Sequence, residues 1–176
     1  MKYLMIAAMV LALSLCALAE EANFSLDRCT ILNNAEDSTA PSKIALAFTL
    51  PDSLLDKDII YAELSGWLEL HNDGPDSLVE LYFMPLMADW PDGQYDYTGI
   101  EAITDSLGAG NYTFRLSDSS AFDVDITRFI MDVSDSVRVN YGLIGTVDLL
   151  GESNIRLSEA LGEQLQNSVR VKVTYK

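Results

Sequence analysis

Hydrophobic and polar positions alternate with period 2 along most of this 176-residue chain, and the pattern is organised around Phe122 to Val147. Phe122, Val124 and Ile126 point one way there, and Asp123 and Asp125 the other. That is a strand with one face in a core. The spacing then changes: Ile126, Phe129, Ile130 and Val133 stand at i, i+3, i+4 and i+7, which predicts one short helix near 127–133. Thr127 or Asp125 is placed to cap its first turn. Ser134-Asp135-Ser136 breaks the helix, and Val137, Val139, Tyr141 and Leu143 resume the strand alternation.

The same reading applies upstream. Phe24 to Leu32 is a first strand, followed by a polar loop ending in Pro41. Lys43 to Leu50 is a second, with Ile44, Leu46, Phe48 and Leu50 on one face and small Ala45, Ala47 and Thr49 on the other. In the connection that follows, Leu54 or Leu55 plugs the end of the core. Ile59 to Leu70 is the longest strand: its even positions from Ile60 to Leu70 are apolar, and its odd ones are Tyr61, Glu63, Ser65, Trp67 and Glu69. After a polar turn at 71–77, Leu78 to Met84 returns as its hairpin partner, apolar on both faces. Ala88 to Gly110 reads as one long irregular segment, and such loops are usually functional or mobile. Asn111 to Leu116, Ile155 to Leu157 and Val169 to Tyr175 supply further strands. The regular spacing implies an all-β chain folded as a two-sheet antiparallel sandwich of jelly-roll type.

The chain opens differently. Lys2, the apolar run Leu4 to Leu18 and Ala17-Leu18-Ala19 form a signal-peptide pattern over residues 1–19, leaving 20–176 as one domain. The run is short for a membrane span and meets Glu20 and Glu21 at once, so no span is expected after cleavage. Cys16 offers a second reading, a lipidated cysteine, although the preceding Leu15 is larger than that processing favours. Either way the protein is expected to be exported, into the periplasm or the extracellular space. A formal charge of −16 argues against nucleic acid or anionic lipid as a partner. With Cys16 removed, Cys29 is the one thiol; it shares a strand face with Ile31 and is expected to be buried.

Little here looks catalytic. The single histidine, His71, sits in a turn, and one His with one mature Cys builds neither a zinc site nor a Cys–His pair. Nucleophile-elbow, phosphate-loop and HExxH motifs are absent. None of the 27 acidic residues stands out as a glycosidase pair, so a non-catalytic role is expected. Calcium could draw on Asn72, Asp73 and Asp76 or on Asp92 and Asp96, but neither turn has a recognised calcium-loop spacing, so no cofactor is expected. Two sets of aromatics suit sugar binding, because pyranose C–H faces stack on aromatic planes beside carboxylates that accept hydroxyl hydrogen bonds. One is Trp90, Tyr95 and Tyr97 with Asp92 and Asp96, in the long loop; the other is Tyr61 and Trp67, on the non-aliphatic face of the longest strand.

Three segments, in order, carry a family resemblance. They are Ala45 to Pro51 with Ile60 to Leu64; Phe122 to Thr127 with Asn140 to Ile144; and Ser158-Glu159 with Val171 to Tyr175. Over roughly residues 43–176 the chain resembles the secreted DNRLRE-type β-sandwich domains, which are related to polysaccharide-binding modules. The hexapeptide for which that family is known is absent from its usual place, and Tyr95 to Gly99 stands where the family has a second tryptophan motif. The resemblance implies a sandwich that binds polysaccharide or another extracellular polymer. The competing class is a structural subunit of the cell envelope that pairs with envelope proteins through edge strands, with Phe24 to Leu32 or Val169 to Tyr175 at the sheet edges.

Overall fold

The computed structural model describes residues 19–68, 78–91, 96–105, 107–115, 120–150, 157–158 and 160–176. Among these residues, nine strands lie in two antiparallel sheets. In chain order they are β1 (Glu20–Ser25), β2 (Arg28–Leu32), β3 (Lys43–Ala47), β4 (Ile59–Leu68), β5 (Leu78–Pro85), β6 (Gly110–Arg115), β7 (Ser120–Asp125), β8 (Leu143–Leu150) and β9 (Arg170–Tyr175). The first sheet runs β1-β9-β4-β7 and the second β2-β3-β8-β5-β6. With β2 set aside, the pairs β1–β9, β3–β8, β4–β7 and β5–β6 nest like one long hairpin. Successive pairs fall in alternate sheets, and β4–β9 and β5–β8 then close each sheet. This is the jelly-roll arrangement of an all-β sandwich.

Between the sheets lies a core in which Leu46, Leu64, Leu81, Phe83, Val124 and Val173 are almost wholly buried. The helix expected near 127–133 is α2 (Thr127–Ser134), with Phe129, Ile130 and Val133 turned inward. Its first turn is held from both sides. The Asp125 carboxylate accepts from the Thr127 amide at 2.9 Å, and the Thr127 hydroxyl accepts from the Ala62 amide at 2.9 Å. Leu54 fills the end of the core while Leu55 is exposed.

Several boundaries differ from the sequence reading, each for a physical reason. The predicted first strand is broken at Leu26-Asp27, so β1 joins one sheet and β2 the other. β4 and β5 are not a hairpin: they lie in opposite sheets, and the turn residues between them are outside the described set. A register shift between Ile59 and Tyr61 turns Ile60 outward, so the even-numbered apolar stripe begins only at Ala62. Val137 and Val139 are exposed and precede β8 rather than belonging to it. Their alternation arises in a connection that passes through Ser136 at positive φ. Among the described residues, two α-helices beyond the expected one occur: α1 (Tyr97–Ala102), inside the segment read as irregular, and α3 (Ala160–Ser168). α3 buries Leu161 and Leu165 against the main core. Val169–Tyr175 is no edge either, since β9 lies between β1 and β4. Of the predicted strand at 155–157, Ile155 and Arg156 lie outside the described residues.

Phe129 is 3% exposed and meets Phe48 edge-on at 6.1 Å. Phe129→Ala should cost about 3–5 kcal/mol in a denaturant melt; a loss below about 1 kcal/mol would mean that the helix contributes little to the core.

Candidate functional site

The long loop and the β4 face, the two candidate surfaces, have opposite fates. Between Leu86 and Thr104 the described residues, 86–91 and 96–104, fold back over the outer face of the second sheet. There Leu86, Trp90 and Ile100 pack on Ala45 and Ile144, forming a second, smaller core. The small side chains on β3 that alternate with its aliphatic ones make room for this cover. Trp90 is 3% exposed. Its indole N–H donates to the Tyr141 carbonyl at 2.8 Å, and the Arg28 guanidinium lies 3.8 Å from its ring centre. Tyr97 is half-buried: its hydroxyl donates to the Pro41 carbonyl at 2.9 Å, and the Lys43 ammonium, itself paired with Glu101, sits over its ring at 3.8 Å. Burial first, then the nearby Glu101 and Asp37 carboxylates, hold the Tyr97 hydroxyl above the ordinary tyrosine pKa. Asp96 caps α1, accepting from the Gly99 amide at 2.7 Å. Asp92 and Tyr95 lie outside the described residues, as do His71, Asn72, Asp73 and Asp76.

Thus Trp90 and Tyr97 fasten a cover: the indole is enclosed, and one face of the Tyr97 ring is taken by Lys43. The clamping cations, Arg28 and Lys43, went unrecognised in the sequence. Lys43 is a charged residue heading a face of small side chains, which is the signal that could have marked the covered side. At the far end of the cover, Arg138 pairs with Asp105 at 2.6 Å. Gly142, at φ +95°, accepts from the Leu86 amide at 3.0 Å, in a backbone conformation that favours glycine.

Among the described residues, nothing covers the outer face of the first sheet. Register places its outward side chains in rows: Glu21, Thr174 and Tyr61; then Asn23, Lys172, Glu63 and Asp125; then Ser25, Arg170, Ser65 and Asp123. Trp67 follows, opposite the small side chain of Ala121. Tyr61 and Trp67 are 39% and 41% exposed. Six residues of strand set them roughly 20 Å apart. Lys172 pairs with Glu21 at 3.2 Å. Tyr61 ionises above the ordinary tyrosine value, first because its surroundings desolvate the phenolate, then because Glu63, Asp125 and Asp123 oppose the new charge.

Beside the Tyr61 end, a groove of about 410 Å³ lies between the start of β6 and the first turn of α2, lined among others by Asn111, Asp125, Arg128 and Met131. No sequence pattern pointed to it, although Gly108-Ala109-Gly110 before a strand is a signal of close backbone approach. Cys29 is half-buried, and burial pushes its thiol up to about 12, so at neutral pH it is an inert thiol. Among the described residues, no three His, Cys, Asp or Glu side chains are grouped to hold a metal, and no helix is long and apolar enough to cross a membrane.

No protein-family model matches this chain, and a search of curated proteins finds no match to it.

Trp90→Phe keeps an aromatic ring but removes the five-membered half of the indole with its donor to Tyr141, and the orphaned carbonyl together with the space left should lower stability by about 1–3 kcal/mol in a denaturant melt. An unchanged melt would mean that the carbonyl finds another partner. Glu63→Gln should bring the Tyr61 ionisation, followed by ultraviolet absorbance, down toward its ordinary value. Because the folded state holds this proton more tightly, its stabilising share is complete below the unfolded tyrosine pKa. It is lost as pH rises through the folded one. A titration that Glu63→Gln leaves unmoved would assign the shift to desolvation and the Asp125 and Asp123 charges.

Proposed function

We propose that this chain is an exported, non-catalytic β-sandwich whose open sheet face binds a neutral glycan or a similar extended extracellular polymer. The observation that carries the reading is the pair Tyr61 and Trp67, exposed on one strand of a face that no described residue covers, with polar side chains between them. A flat sheet face with two aromatic platforms suits an extended sugar chain of several units. Ser65, Glu63 and Asp123, between the platforms, are of the type that hydrogen-bonds sugar hydroxyls. The signal-peptide pattern of residues 1–19 supports export, and the resemblance to DNRLRE-type domains supports a binding role. Calcium has no part in this reading.

Tyr61→Ala with Trp67→Ala should leave the melting temperature unchanged and weaken retention on an immobilised neutral polysaccharide by about 1–2 kcal/mol in all, on the scale of aromatic contacts. Retention should vary little with salt, since no opposite charges pair across such an interface. Retention that survives the double substitution would remove this face. Absence of retention together with concentration-dependent oligomers on a sizing column would favour assembly through the β1 edge instead.

A further inference from the structure

The groove beside α2 extends the open face around its β7 side, and Asp125 belongs to both. Its backbone pairs with Glu63 across β4 and β7, and the residue lines the groove. The floor is closed: a side chain on Gly110 would run into the Asp125 carbonyl oxygen and a Val124 methyl, so the β6 and β7 backbones nearly touch there. One wall is the start of β6 with Asn111, the other the first turns of α2 with Arg128 and Met131. At about 410 Å³ the space falls within the roughly 300–1,000 Å³ typical of small-ligand sites.

The wall chemistry is two-sided. Met131 and Ala109 give an apolar surface, while Asn111, Asp125 and Arg128 give an amide, an acceptor and a donor. Arg128 is bound through Nε to Asp132 at 3.0 Å, and its outer N–H groups have no other partner among the described residues. A pyranose has the matching character, an apolar C–H face ringed by hydroxyls that both donate and accept. Tyr61 already feels the Asp125 charge, which links platform and groove electrostatically.

Building on the glycan-binding reading of the open face, we infer that this groove is a subsite for one end of the bound chain: a terminal neutral sugar seated between β6 and α2, with the following units running over Tyr61 to Trp67. The protein then recognises a chain end as well as a chain surface. Its affinity depends on length until groove and both aromatics are filled.

The test is calorimetric titration with β-1,4-linked glucose oligomers from disaccharide to octasaccharide, on wild type, Asn111→Trp (which fills the groove) and Asn111→Ala/Arg128→Ala (which strips its polar groups). The wild type should gain affinity with length and then level off. Both variants should keep the wild-type melting temperature and lose about tenfold on the longest oligomers, equivalent to about 1.4 kcal/mol, the scale of two hydrogen bonds. Their plateau should come at a shorter length, and an oligomer reduced at its end to an open-chain alditol should bind the wild type more weakly in one orientation-dependent step. Variants that match the wild type at every length would overturn the subsite while leaving the open face intact. A wild type that binds no oligomer would overturn the glycan reading itself, and the subsite with it.

Discussion

A β-sheet that is apolar on both faces has to be covered twice, and the surface of this protein follows from that requirement. The second sheet puts one face into the central core and presents Ala45, Ile144 and half-buried Met84 on the other. Water cannot satisfy that face, so Leu86, Trp90, Ile100 and Ile103 cover it. Two cations stacked on two aromatics, Arg28 on Trp90 and Lys43 on Tyr97, tie the cover to β2 and β3. Burying a lysine is costly unless it is paired, and Glu101 supplies the pair. The first sheet has the opposite character. Its outer rows are polar and charged, stand in water unaided, and are therefore free to meet something else.

The legible parts of the sequence were those where one local period decides the structure. Phe122 to Asp125 and α2 follow directly from their spacing, and the strand count with its turn signals led to the sandwich. What escaped depends on partners far along the chain. The aliphatic face of β4 reads the same whether its neighbour is β5 or β7, so the false hairpin could not be seen locally. A bulge at Ile60 reverses one side chain without leaving a mark in the alternation. α3 was missed because its stripe of Leu161 and Leu165 is brief and its ends carry no strong stop signal.

The candidate surfaces show the same limit. Aromatics in a long loop and aromatics on a strand face look equally available in a sequence, because exposure is a property of the whole fold. Trp90 is in fact among the buried residues, and Tyr61 and Trp67 are among the exposed large hydrophobics. The groove was invisible for a related reason: it is made where β6 and α2 converge, some twenty residues apart in sequence.

The nesting of the strands also fixes how the domain responds to load. Glu20 lies opposite Tyr175, so the start of β1 and the end of β9 lie at the same pole of the first sheet. Tension drawn between those two ends acts across the ladder, not along it. The hydrogen bonds then break in sequence, like a zipper, beginning at Glu20 and Tyr175 and travelling toward Ser25 and Arg170.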